Sequence, residues 1–458
     1  MEIVVKGLIV KELGHRGLYV FYTGKERMIV YSSSPLRIGP MSLTLLSDEK
    51  GYRVVSSQSI DQSELSLNHD DVVDERELLI SDDIMIQLTP QIRETAKRIK
   101  RAVSMGRDIL LRFHNDADGI AGGLAIYRVL KSMDEHVHVS NRQNSSVIYN
   151  PSDALADLNT LTSYNPLVLI IDFGSGEESQ EAINLLRAAG VEVVMIDHHP
   201  YDVQPTVDYY LSPWILRSDK RIDLSQYTAG YLSVEVARLL GLDDDTAKRL
   251  TSISFSGDKS RFRKIFSDDE TALVFDYLGT YSTFPNTLDF YNSLLDNQSL
   301  RESIYHQAKD KLDTIRDKGF VYLKVKDVPL SGMGDGLLFG TINIEKVIKK
   351  FEFPSKAKTI GVLFDTLVER NPGRPVIVVG YGGKLITFRV NDEGFQIGLS
   401  ARDLVKEILT EFKDLVVGGG GHDKAASVRT MGNEYTKIIM EWLENKIMNR
   451  SWSSQDTS

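Results

Sequence analysis

The sequence predicts an α/β protein: a doubly wound parallel-sheet domain, a smaller C-terminal α/β domain and an N-terminal β-rich module. Three observations predict it. The continuous apolar runs DILLRF (108–113), LVLIIDF (167–173) and VEVVMID (191–197) alternate with helical stretches, the mark of parallel strands covered on both faces. Residues 1–60 instead alternate apolar and polar positions between turn signals, in EIVVKGLIV, GLYVFYTG, RMIVYSSS and GYRVVSS, as a small β-rich module does. A second α/β pattern runs from about residue 319 through FVYLKVKDV, KTIGVLFDTL, PVIVVGY and KLITFRV.

In chain order, the acidic stretch 61–88 reads as a linker or a loosely held segment. A helix is expected after Pro90, with Ile92, Ala96, Ile99 and Val103 on one face and Gly106 as its stop. The strand DILLRF leads into a helix at GIAGGLAIYRVL (119–130), and HVHVS (136–140) is a second strand. After LVLIIDF, the amphipathic helix EESQEAINLLRAAG closes at Gly190. VEVVMID is the next strand, and residues 224–241 are helical. The predicted domains are a β-rich module (1–60), the linker (61–88), a catalytic domain (89–265), a helical connector (266–318) and a second domain (319–449), with a disordered tail (450–458).

The chain has 458 residues and a formal net charge of −10. The length suits about three domains. With no cysteine, disulfides and thiolate metal sites are excluded, so a metal would rest on His and carboxylates. MEIVVKGLIV lacks the basic and apolar regions of a secretory leader, and there is no run of about 18 apolar residues, so a cytoplasmic protein without a membrane span is expected. The acidic balance argues against coating nucleic acid by bulk charge. It allows an enzyme that grips a strand locally, because bound cations reverse the sign of a carboxylate site.

The chemistry lies in an ordered set of motifs: HNDADG (114–119), IDFG (171–174), DHHP (197–200), SGDKS (256–260) and GGGGHDKAAS (418–427). Loops at the carboxyl ends of strands in a doubly wound sheet face one crevice. His114, Asp116 and Asp118 follow the first strand, Asp172 ends the second apolar run, and Asp197, His198 and His199 end the third. A two-metal site needs oxygen-rich ligands and one carboxylate bridging ions about 3.5–4 Å apart. Asp172, the acid of its motif, is the expected bridge. Asp116 and Asp258, with His114, would complete one ion, and Asp118 and His198 the other. Imidazole mixed with carboxylate suits Mn²⁺, with Mg²⁺ as competitor. His199 is left for a substrate phosphate or the leaving group, and Asp197 reads as a buried acid that orients a ligand. Each motif has a plainer reading. Asp116 and Asp118 suit an Asx-turn and helix cap, DHH a polar loop with a capping Asp, and Gly-Asp an ordinary turn.

On these motifs the chain resembles the DHH phosphoesterase superfamily and, within it, the RecJ-like single-strand exonucleases. HNDADG, IDFGSG, DHHP and the Gly-Asp at 257–258 look like four successive motifs, while GLSAR (398–402) and GGGGHDKAAS resemble the DHH-associated C-terminal domain. The combination is most similar to the archaeal RecJ-like group, which includes a nuclease that associates with the GINS replication complex. His114 stands where bacterial RecJ usually has Asp, and Ser427 where the family has a final Gly. The resemblance implies a metal-dependent exonuclease on single-stranded DNA or RNA in replication or repair, 5′→3′ as in bacterial RecJ, with GINS as a partner to consider. The other readings are a small-substrate phosphoesterase and a replication scaffold that keeps the nuclease fold.

In the C-terminal motifs the resemblance implies substrate binding by Ser400, Arg402, Gly419, Gly420, Gly421 and His422. A glycine run exposes backbone N–H groups to phosphate, or is simply a flexible loop. Ser400 also suits the N-cap of a helix with Leu404, Val405, Ile408 and Phe412 on one face, whose N-terminus with Arg402 is an anion site. Two basic runs, LRSDKR (216–221) and KSRFRK (259–264), are expected near the crevice, with Phe262 placed to stack on a base or with both runs simply solvated.

Overall fold

The computed structural model describes residues 2–14, 17–48, 51–65, 71–134, 137–216, 223–280, 287–330, 336–349 and 352–449. The chain divides into two compact units, Met1–Gly279 with Thr283–Gln298, and Thr280–Ser282 with Ser299–Ser458.

The first unit opens with β1 (Glu2–Leu13), β2 (Leu18–Tyr22), β3 (Arg27–Tyr31), β4 (Gly39–Asp48) and β5 (Gly51–Ser59), which close a barrel in the order β1-β2-β3-β5-β4. Ile9, Phe21, Val30, Leu43 and Leu45 fill it. Strand alternation sends Leu8, Val10, Val20 and Tyr22 to the opposite side, where they pack on Met105. Lys11 reaches in the same direction and its Nζ lies 3.0 Å from Asp108 Oδ1. Residues 71–82 have no helix or strand, yet they are tied down: Leu79 N–H donates to Glu235 Oε1 (2.7 Å) and Ile80 N–H to the Tyr231 hydroxyl (3.2 Å).

Helix α1 (Asp83–Met105) starts before Pro90, not after it. Asp82 caps it by accepting from Met85 N–H. The proline costs one backbone bond, to the carbonyl of Ile86. Ile86 is exposed, so water can take that carbonyl.

The sheet consists of β6 (Ile109–His114), β7 (Val139–Asn144), β8 (Leu167–Ile171), β9 (Glu192–Ile196) and β10 (Tyr209–Leu211), ordered β10-β9-β8-β6-β7 and parallel throughout. Helices α2 (Ala117–Met133), α3 (Pro151–Leu158), α4 (Gln180–Ala188), α5 (Ala229–Arg238) and α6 (Asp244–Gly257) complete the domain. Every residue of β8 is buried, as the unbroken apolar run requires. The strand expected at 136–140 forms at 139–144: an edge strand reading VSNRQN carries no apolar pattern to fix its limits. The 224–241 stretch begins as a single turn at 224–226, and α5 starts only after Thr228 caps it. A buried charge network also lies behind the apolar reading of 108–113. Asp157 accepts from Arg112 Nε (2.6 Å), from Arg142 (2.9 Å) and from the Tyr149 hydroxyl (2.6 Å).

The 266–318 stretch is shared between the units. Helices α7 (Asp269–Thr280) and α8 (Leu288–Asp296) finish the first, and α9 (Gln298–Tyr322) opens the second. There β11 (Lys324–Val328), β12 (Leu337–Asn343), β13 (Val376–Gly382), β14 (Leu385–Val390), β15 (Val416–His422) and β16 (Ala425–Thr430) form a mixed sheet ordered β11-β12-β13-β14-β16-β15. Helix α10 (Lys356–Arg370) covers one face through Ile360 and Leu367. After the short α11 (Asp392–Gln396), α12 (Ala401–Glu411) and α13 (Asn433–Asn449) pack Leu404, Ile408, Ile439 and Leu443 with Phe339 and Phe388. The predicted tail lies outside the described residues, as do positions 217–221 of LRSDKR.

Candidate metal centre

The strand order reverses between β6 and β8, and in open α/β sheets the carboxyl ends at such a reversal form the binding crevice. His114 is the last residue of β6, and Asp172 follows β8 directly. Asp172 has φ 67°, a left-handed conformation that non-glycine residues rarely adopt and that concentrates at functional sites. Asp116 caps α2 by accepting from Gly119 N–H (3.1 Å), so the plain capping reading holds while its other oxygen meets His114 Nδ1 at 2.7 Å.

Three groups of ligand atoms result, each within 4.8 Å: His114 with Asp116 and Asp172, Asp118 with His198 and Asp258, and Asp172 with His198 and His199. Asp172 spans them. Its Oδ2 is 3.5 Å from His114 Nδ1, and its Oδ1 is 3.3 Å from His198 Nε2. The pairing of Asp258 differs from the sequence expectation. Its carboxylate lies 3.0 Å from His198 Nε2 and groups with Asp118, not with Asp116 and His114, because α6 delivers it to the side where α5 meets α2.

Asp118, in the first turn of α2, is fully buried against the start of α5, accepting from Ala229 N–H (3.0 Å), Gly230 N–H (2.9 Å) and the Ser254 hydroxyl. A Cβ on Gly230 would come within 2.6 Å of Asp118 Oδ1, so only glycine lets this helix end approach. The Ser225 carbonyl accepts from His198 Nδ1 (2.7 Å), fixing the tautomer that turns Nε2 toward the carboxylates. Asp197, fully buried, accepts from both the backbone N–H (3.1 Å) and Nδ1 (2.7 Å) of His199, so it fixes that ring. Ser225, Thr228, Gly230 and Ser254 escaped the sequence reading; a cap residue before Ala-Gly at the head of a helix was the available signal.

The electrostatics explain why these side chains suit cations. Burial, and then the charges of Asp172 and Asp258, push the Asp118 carboxyl well above its ordinary range. Burial and Asp116 push Asp172 up too. Burial opposes charge on His198 and His114, but the surrounding carboxylates outweigh it and raise both rings well above the usual histidine value. Asp197 is held down at about 2: burial works against its charge, and His199 more than compensates. One oxygen of Asp172 is buried with no hydrogen-bond partner. Crowded buried carboxylates with an unsatisfied oxygen, beside imidazoles oriented from behind, fit divalent cations.

In the second unit, the two C-terminal motifs touch. Ser400 caps α12 by accepting from Asp403 N–H (3.1 Å), and its hydroxyl donates to Asp423 (2.9 Å) in the turn between β15 and β16. The glycine run is an edge strand, not a loop. Gly419 is dictated by packing, since a Cβ there would lie 2.7 Å from Ser427 O, whereas Gly420 faces open space. Arg402 and His422 are both partly exposed. The expectation for Phe262 fails: it is buried, with its ring 5.1 Å from Tyr227 and 5.5 Å from Phe255, because an aromatic cluster under the loop gains more from it than solvent allows. Of the same run, Arg263 pairs with Asp269 and Arg261 lies over the Phe262 ring.

Residues 108–235 match the DHH family, N-terminal domain. Over that stretch, which holds the metal-site strands, the chain is similar to that family. The chain is 26% identical to the uncharacterized protein MJ1198 of Methanocaldococcus jannaschii, over 80% of this chain and 55% of that one, so it spans about half the length of that relative. Its structure is similar to a DHH domain described as a member of the s1p family of ribosomal proteins, with a TM-score of 0.72, 25% identity, and 83% and 95% of the two chains covered. It shares the fold of RecJ in complex with Mn²⁺ from Thermus thermophilus, with a TM-score of 0.50, 15% identity, and 80% and 56% covered. Among the described residues no helix is long and apolar enough to cross a membrane.

Proposed function

We propose that this protein is a metal-dependent phosphodiesterase of the DHH type that removes nucleotides from one end of single-stranded DNA or RNA. The observation that carries the proposal is Asp172, held in a left-handed conformation between two His–Asp groups with one oxygen buried and unbonded. His114, Asp116 and Asp172 would hold one divalent cation; Asp118, His198, Asp258 and the shared Asp172 would hold a second. Such a pair supplies charge for in-line attack on a phosphodiester and a water of lowered pKa. Mn²⁺ is favoured over Mg²⁺ by the mixed donors, and the RecJ of similar fold carries Mn²⁺.

The chain's own residues do the rest. Asp116 and Asp172 would hold the ions whose charge offsets that of the strand-end phosphate. His199, its Nδ1 fixed by Asp197, is assigned to the phosphate or the departing oxygen. In the second unit, Ser400, Arg402, His422 and the Gly419–Gly421 strand are assigned to the strand backbone. The direction taken is 5′→3′, and the setting is DNA replication or repair, with GINS as the partner to test. A 20-nucleotide strand labelled at one end, as DNA and as RNA, is incubated with Mn²⁺, Mg²⁺ or EDTA. A Mn²⁺-dependent mononucleotide or ladder is expected; intact strand in every metal, with turnover confined to di- to tetranucleotides, would replace the proposal with a small-substrate phosphoesterase.

A further inference from the structure

The amino ends of the parallel strands, at the far side of the sheet from the metal centre, carry a cleft of about 490 Å³. Arg98, Arg101, Arg107 and Arg187 line it, against the carboxylates of Glu192 and Asp208. Leu8 and Gln62 add a wall from the barrel and the turn after it. The cleft falls within the size range of small-ligand sites.

Arg107 decides what the cleft is for. It is 1% exposed, and its Nε is buried with no hydrogen-bond partner. Glu192 takes one of its terminal nitrogens at 2.7 Å and one of Arg98 at the same distance. Arg101 is paired with Asp71 (2.7 Å), yet its Nε is also buried and unbonded. Arg187 meets Asp208 at 3.3 Å. The local carboxylates therefore leave guanidinium donors unsatisfied. A guanidinium presents five N–H donors in a planar fork that matches carboxylate and phosphate oxygens. Burial, joined by repulsion from Arg101 and Arg98 and only partly offset by Glu192, holds the Arg107 pKa below its usual value, so an added anion relieves the cluster.

We propose that this cleft is a second, non-catalytic site that binds a small phosphate-bearing anion, with AMP and inorganic phosphate as its probes, remote from the metal centre and independent of it. A strand phosphate is the same chemistry from a different source. Because barrel, α1 and sheet all contribute, occupancy ties the barrel to the catalytic domain.

The test uses the full chain in EDTA, titrated calorimetrically with AMP, inorganic phosphate and a 12-nucleotide strand, chloride keeping the ionic strength constant. Arg101→Gln with Arg187→Gln removes two partly exposed guanidinia and leaves Arg107 packed. The expected result is AMP binding at least tenfold weaker in that variant, unchanged in Asp172→Ala, and with a rise in melting temperature on adding AMP that the arginine variant loses. Strand hydrolysis in Mn²⁺ stays the same in the arginine variant. If the 12-mer, and neither AMP nor inorganic phosphate, shows the arginine dependence, the small-anion assignment is overturned in favour of strand phosphate. AMP binding that is absent, equal in the arginine variant, or lost in Asp172→Ala overturns the site. Loss of hydrolysis in every protein with this binding intact would sink the nuclease reading alone.

Discussion

At the carboxyl ends of β6, β8 and β9, buried carboxylates crowd around imidazoles with a carboxylate oxygen left unbonded; at the amino ends of the same strands, arginines crowd around too few acids and guanidinium nitrogens are left unbonded. A six-residue strand such as β6 separates the two ends by roughly 20 Å. The contrast teaches that one parallel sheet, with its apolar strands sealed on both faces, can insulate two opposite charge clusters and suit each to a ligand of the other sign. It also shows how an acidic chain could accept an anion, since cations bound at a carboxylate site reverse its local sign.

The largest effect is expected from breaking the carboxyl end. Asp172→Ala should lower strand hydrolysis by at least about a thousandfold, as removal of a group shared by the whole machinery does. The fold should survive, because the substitution relieves like-charge crowding by more than alanine loses at a left-handed position; circular dichroism and a melting curve would check it. Added Mn²⁺ at about 100 times its Kd should stabilise the unmodified protein by about 2.7 kcal/mol and the variant by much less. A folded, active variant would end the shared-ligand assignment.

The matching break at the amino end should reverse the pattern. Arg107→Met removes one of the two guanidinia that hold Glu192, leaving Arg98, and should cost about 1.5–3 kcal/mol of stability, the range for a hydrogen bond to a charged group. Hydrolysis per folded molecule should stay near normal. A fall in activity without a fall in melting temperature would show that the two ends are coupled.

Acid probes the same end more gently. Burial works against the Glu192 carboxylate, but Arg107 and Arg98 outweigh it and keep its pKa below the ordinary 4.5. A lowered folded-state pKa gives stability that is complete above about pH 4.5 and is lost as pH falls through the folded value. Melting temperatures between pH 7 and 3 should fall less steeply in Glu192→Gln than in the unmodified protein; equal slopes would refute the assignment. The smallest effect is expected at the barrel. Lys11→Met should cost only about 1–2 kcal/mol, because Asp108 keeps the N–H donors of Thr162 and Ser163 when the ammonium is gone. Chemical denaturation would measure it.

Much of this was legible in the chain. β8 and β9 announce themselves as unbroken apolar runs, and a motif acid or histidine falling where each run ends is what brings Asp172, Asp197, His198 and His199 to one crevice. The start of α1 was not legible, because Pro90 is a strong helix-breaking signal and only the exposure of Ile86 makes it tolerable. Nor was the company of Asp258, which depends on how α6 packs against α2 and α5 and not on sequence order. Gly419 and Gly420 look alike in sequence, but Gly419 answers to the close approach of β16 while Gly420 faces open space. The arginine cleft was invisible for the same reason: Arg98, Arg107 and Arg187 come from different segments and read as ordinary solvated charges until the sheet gathers them.

Asp172 is proposed to serve two cations at once. Crystals grown with Mn²⁺ and measured near the manganese absorption edge would test it. Two anomalous peaks are predicted, both in contact with Asp172, one beside His114 and Asp116 and the other beside Asp118, His198 and Asp258. A single peak, or peaks that leave Asp172 without a metal contact, would contradict it.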